Sequence, residues 1–102
     1  KIIDGVINMI SVDVEADKDW QQFKFHFDNV HGNFLERLKG EYPKLTSKDM
    51  QLAAYLRLNL SSKEIAPMMS ITVRSVEGCR YRLRKHLGLS SSVNLSEFIL
   101  RY

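Results

Sequence analysis

The chain has 102 residues, 44% of them hydrophobic and 26% charged, with a formal net charge of +3. That length suits one small domain, or one domain with an appended arm, and allows only a modest core. No stretch approaches the roughly 18 consecutive apolar residues of a membrane span. A lone cysteine, Cys79, excludes an internal disulfide and a cysteine-based zinc site.

The charge is unevenly placed. Residues 1–42 hold eight acids and five bases, whereas residues 43–102 hold four acids and ten bases. A basic second half suggests a polyanionic partner for that half. The three histidines, His26, His31 and His86, lack metal-ligand spacing on any one face, so no metal and no cofactor are expected. Cysteine usage suits a reducing cytoplasm. The chain opens on Lys1 with an amphipathic stretch after it, which reads as a piece of a longer protein without a signal peptide.

Taken in order, the elements are all helical, and strand signals are weak. Residues 2–14 place Ile3, Val6, Ile7 and Ile10 on one stripe, suited to pairing with a second copy, to packing back on the aromatic residues that follow, or to being the end of an upstream helix. A polar hinge, residues 15–19, follows, with Asp17 or Asp19 placed to cap the next helix. That helix carries Trp20, Phe23 and Phe27 on one side. A further segment over roughly 31–41 carries Phe34, Leu35 and Leu38 and stops at Gly40 and Pro43. The aromatic set Trp20, Phe23, Phe25, Phe27, Phe34 and Tyr42 reads as core rather than as a base-stacking platform, because its spacing is that of a helix burying one face. The expected division is an N-terminal helical extension, 1–42, and a compact domain, 43–102.

The second half is closely punctuated. Thr46 caps a helix over 47–58 with Asp49 in its first turn, and Asn59 suits a left-handed helix end. Ser61 and Glu64 form a capping box that opens a short helix from Lys63 to about Met69. After Ser70-Ile-Thr72, Thr72 caps a long helix from Val73 to about Leu87 that stops at Gly88. A last short helix falls in 91–102, capped by Asn94 or Ser92, with Leu95, Phe98 and Ile99 apolar. The fold class is therefore all-α: a helical bundle containing a helix-turn-helix, with an N-terminal helical extension.

A short helix, a tight turn and a longer basic helix form a unit suited to the major groove, which is about 12 Å wide. Along the long helix Val76, Cys79, Leu83 and Leu87 suit an inward side. Arg74, Ser75, Glu77, Gly78, Tyr81, Arg82 and Lys85 lie mostly on the others. The bases Arg74, Arg80, Arg82, Arg84 and Lys85 face one acid, Glu77, and such a helix repels itself unless a polyanion neutralises it.

Residues 45–89 resemble the C-terminal DNA-binding domain of LuxR-type (GerE-like) transcriptional regulators. The resemblance is carried by Leu45-Thr46, Asp49, Ser61-Ser-Lys-Glu-Ile-Ala66, Ile71-Thr72, Ser75-Val76, Leu83 and Leu87-Gly88. Asp19-Trp20, Tyr42-Pro43, Tyr55-Leu-Arg-Leu-Asn-Leu60 and Arg80-Tyr-Arg-Leu-Arg-Lys85 extend it to the C-terminal end of large regulators from Bacteroidetes. The resemblance implies sequence-specific binding of double-stranded DNA as a regulator's output domain, with the helix near 73–87 as the recognition helix. Four positions depart from the family pattern: Glu77 stands for its usual Lys, Cys79 for His, Arg80 for an apolar residue and Asn59 for Gly.

The base-contact candidates are Arg74, Glu77, Gly78 and Tyr81, and the phosphate-contact candidates are Lys63, Arg82, Arg84 and Lys85. Glu77 is suited either to accept from a cytosine amino group or to repel phosphate. One domain this small makes few phosphate contacts, so a homodimer on DNA is expected, with no membrane contact and no small-molecule ligand. The competing reading is a protein-interaction module. Catalysis is not expected: Ser61, Ser62, His86 and Asp49 form no nucleophile elbow, and no glycine-rich phosphate loop is present.

Overall fold

A computed structural model describes residues 19–102, and every described element is an α-helix. The amphipathic segment 2–14, its pairing role, and the hinge with Asp17 lie outside the described residues. The chain divides into a first unit that ends at Asn33 and a second that runs Phe34–Tyr102.

In the first unit, α1 covers residues 19–30 of the described chain. Most of its aromatic residues recur at helical spacing, so their rings line one side. Trp20 and Phe23 are 5.6 Å apart, Phe23 and Phe27 5.6 Å, and Phe27 and His31 4.2 Å between ring centroids. Phe25 corrects the expectation of a core role: it sits off that stripe and is 65% exposed. The helix ends where Gly32 turns left-handed (φ +62°) and the Asn33 amide donates to the Asp28 carbonyl at 2.8 Å.

The second unit contains α2 (Phe34–Glu41), α3 (Ser47–Arg57), α4 (Ser62–Met68), α5 (Val73–His86) and α6 (Leu95–Arg101). It begins at Phe34 rather than at the expected Pro43. Phe34, Leu35 and Leu38 are fully buried, and α2 packs on α3. Burying each such side chain contributes about 1.5–3 kcal/mol, which is why α2 belongs to this core. α3 lies centrally, against α2, α5 and α6, through Leu52, Ala53, Ala54 and Leu56. α4 packs on α5 through Ile65 and Ala66, and α6 closes the unit with Leu95 and Ile99.

The caps follow the sequence closely. Thr46 and Asp49 form a reciprocal box, with Asp49 N donating to Thr46 Oγ1 (3.1 Å) and Thr46 N to Asp49 Oδ2 (3.0 Å). Ser61 and Glu64 do the same at 3.2 and 2.9 Å, Thr72 caps α5, and Asn94 caps α6. The opposite ends share one device. After α3, α4 and α5 the chain turns left-handed at Asn59 (φ +63°), Ser70 (φ +56°) and Gly88 (φ +70°). Each time the amide of that residue and the one after it return to carbonyls of the last turn, as with Gly88 N to Lys85 O (3.0 Å) and Leu89 N to Arg84 O (3.1 Å). Without this, orphan carbonyls would remain at every helix end.

Two side chains tie α6 down. Arg57 Nη1 donates to the carbonyls of Ile99 and Leu100, both at 2.8 Å, while its guanidinium lies 4.9 Å from the Phe34 ring centroid. Tyr102 sets its ring edge-on to Phe34 at 5.8 Å, and its hydroxyl donates to the Glu41 carboxylate. Desolvation and the Glu41 carboxylate push the Tyr102 phenol up to about 12.

Candidate nucleic-acid interface

α4 and α5 are joined by the four residues Met69–Thr72, the helix-turn-helix arrangement expected for this part of the chain. The turn is tight because Ser70 reverses the backbone, with Ser70 N bonded to Pro67 O (3.2 Å) and Ile71 N to Ala66 O (3.0 Å).

The inward stripe of α5 is Val76, Cys79, Leu83 and Leu87, all buried, with Val76 and Leu83 at 0% exposure. At about 100° per residue, Arg74, Tyr81 and Lys85 fall directly opposite that stripe. All three are exposed, as are Glu77 and Arg82, while Gly78 is half-exposed. Tyr81 stands 58% exposed with the Lys85 ammonium 5.1 Å from its ring centroid, so cation and ring form one outward pair. Lys63 is exposed on α4. Of the five α5 bases, only Arg80 has a carboxylate within salt-bridge reach among the described residues: its Nε lies 3.4 Å from Glu77 Oε2. Arg82 donates weakly to Cys79 Sγ (3.4 Å).

Arg84 takes a different place from that expected, and Glu77 makes contacts within the fold as well. Arg84 is half-buried, and its Nη1 donates to the carbonyls of Ser90 (2.9 Å) and Val93, holding the loop between α5 and α6. It fastens the fold and leaves the phosphate set. Glu77 accepts from Ser62 Oγ at 3.2 Å as well as pairing with Arg80, so it also braces α4 against α5. Gly78 is not demanded by the fold. A Cβ there would meet only Arg82 Nη1, at an ordinary 3.8 Å.

No sequence signal marks the contact between His86 Nδ1 and Asp49 Oδ2, 2.6 Å apart, which joins the end of α5 to the start of α3. The same holds for Arg80 Nη2 donating to Ser96 Oγ (3.3 Å) and for Arg57 Nη1 donating to the Ile99 carbonyl. Among the described residues no cluster of three His, Cys, Asp or Glu side chains could hold a metal ion. No helix among them is long and apolar enough to cross a membrane. An open hollow beside Val93, Phe98, Arg101 and Tyr102 brings no nucleophile and base together.

Compared with protein-family models, curated proteins and solved structures, the chain matches none.

Proposed function

We propose that the unit Phe34–Tyr102 binds double-stranded DNA, with α5 laid in the major groove, as the output domain of a bacterial transcriptional regulator of LuxR type. One observation carries the reading. Arg74, Tyr81 and Lys85 form an exposed stripe opposite the buried one, and no carboxylate of the fold lies within salt-bridge reach of Arg74, Arg82 or Lys85 among the described residues. Bases left unneutralised on an outward helix suit phosphate and base-edge acceptors. In this reading Arg82, Lys85 and Lys63 meet phosphates, and Arg74 and Tyr81 reach base edges. The resemblance in residues 45–89 supports the same assignment. Half-sites one helical turn apart would be occupied by two copies.

Exposed Met68 and Val73 beside the turn favour a second reading, a surface for a protein partner. Salt separates the two. The chain is titrated with generic duplex DNA at rising salt. The DNA reading requires log Kd to change with log salt at about 0.9 per phosphate contacted. No binding at low salt, or a flat response, overturns it in favour of a protein partner. Selection of bound duplexes from a random pool then gives the motif and, through its symmetry, the number of copies bound.

A further inference from the structure

Glu77 is the one acid on the outward side of α5, where a carboxylate repels a phosphate backbone. Its carboxylate is nonetheless paired within the fold. Ser62 Oγ donates to Oε2 at 3.2 Å, and Arg80 Nε lies 3.4 Å from that same oxygen. Arg80 is braced in turn by Ser96 Oγ at 3.3 Å. A line of four side chains from α4, α5 and α6 therefore runs Ser62–Glu77–Arg80–Ser96, and every contact it makes to the glutamate falls on one oxygen. Oε1 takes no hydrogen bond among the described residues, and the side chain is 59% exposed.

An ionised carboxylate accepts hydrogen bonds and donates none. Held through Oε2, Glu77 presents Oε1 as a free acceptor and has less freedom to lose on binding than an unpaired glutamate would. It stands three residues from Arg74 and four from Tyr81, so it flanks the stripe assigned to base edges. In the major groove only two base groups donate, the N4 amino of cytosine and the N6 amino of adenine. The adenine amino sits beside N7, an acceptor that a carboxylate meets unfavourably.

We infer that Glu77 is a specificity-determining residue whose Oε1 accepts from the N4 amino group of a cytosine, with Ser62 and Arg80 holding the carboxylate in position. The inference rests on the DNA-binding reading above. The paired Arg80 guanidinium offsets part of the repulsion between Glu77 and the backbone, leaving the acid selective rather than merely unfavourable.

The test uses the 102-residue chain, with circular dichroism confirming that each variant keeps its helices. Duplexes are selected from a random pool with the wild type and with Glu77→Ala. Both proteins are then titrated against the selected duplex and against one in which the cytosine pair is changed to T·A. The wild type should lose on the order of 10-fold at that position, and Glu77→Ala should bind both duplexes alike. Glu77→Gln should move the preference towards adenine, because an amide both donates and accepts. Ser62→Ala leaves the Ser61 cap intact and should narrow the wild-type ratio at that one position only. A wild type without base preference, or a motif whose every position survives Glu77→Ala, overturns the inference and leaves DNA binding standing. If the wild type binds no duplex in a salt-dependent way, the DNA-binding reading itself falls.

Discussion

His86 Nδ1 lies 2.6 Å from Oδ2 of Asp49, and that same oxygen accepts the Thr46 amide that closes the capping box of α3. One buried carboxylate thus starts α3 and anchors the end of α5. Asp49 is 5% exposed, so removing His86 leaves a buried carboxylate short of a bond.

Asp49→Ala should destabilise the chain by about 2–3 kcal/mol, from a lost cap and a lost buried bond. His86→Ala should cost about 1–2 kcal/mol. Because both act on one oxygen, the double variant should cost less than the two losses added together. Urea denaturation of the four proteins checks this, and full additivity would contradict a shared site.

The two ends of the pH scale should weaken the fold through different residues. The Ser61 amide and hydroxyl hold Glu64 below its ordinary 4.5. A lowered folded value means its contribution is complete above about pH 4.5 and is lost as pH falls through the folded value. The raised phenol of Tyr102 works in the other direction. Its contribution is complete below pH 10, and stability falls as pH rises from there through about 12. Burial also raises the Tyr55 phenol, which adds to the alkaline slope. Thermal midpoints across pH should show Glu64→Gln flattening the acid limb and Tyr102→Phe flattening part of the alkaline limb.

Ser70→Gly should stabilise the chain. Ser70 holds φ +56°, a conformation that costs a residue with a Cβ about 1–2 kcal/mol. Glycine removes that cost but gives back about 0.5–1 kcal/mol through its freer unfolded state. The net gain should be about 0.5–1 kcal/mol in urea denaturation, and a loss would show that the Ser70 side chain is needed.

Gly78→Ala separates folding from binding. The Cβ fits, so the helix should gain about 0.5–1 kcal/mol. If a base or sugar approaches α5 at that point, duplex affinity should fall while stability rises. Parallel urea and DNA titrations read the two effects independently.

The arginines of α5 should divide by role. Arg84→Ala removes bonds to the carbonyls of Ser90 and Val93 and should cost about 2 kcal/mol of stability. Arg82→Ala and Lys85→Ala should leave stability almost unchanged, weaken all duplexes similarly, and each lower the salt slope by about 0.9. Tyr81→Ala should instead change the preference among sequences.

What could be read in the sequence was short-range. Ser61 with Glu64 and Thr46 with Asp49 are three residues apart, and a cap is a contact within one helical turn. Asn59 and Gly88 announced helix ends because few residues tolerate a left-handed backbone. The buried stripe of α5 likewise followed from its period alone. Contacts set by packing gave no such signal. His86 and Asp49 are 37 residues apart, Ser62 and Glu77 15 apart, and Arg57 reaches Ile99 across 42. Arg84 looked like its neighbours Arg82 and Lys85 because charge and spacing do not reveal where a loop carbonyl will fall. The start of the compact unit was misplaced because Gly40 and Pro43 look like a boundary. In fact Gly40 sits within α2, and Phe34 belongs to the same core as α3.

The separation of the two sides of α5 has a consequence for how such a unit changes over time. Arg74, Tyr81 and Lys85 stand exposed, while Val76 and Leu83 are fully buried and Arg84 holds a loop. Mutations can therefore rewrite the outer residues, one codon at a time, and change the surface that α5 presents without passing through an unfolded ancestor.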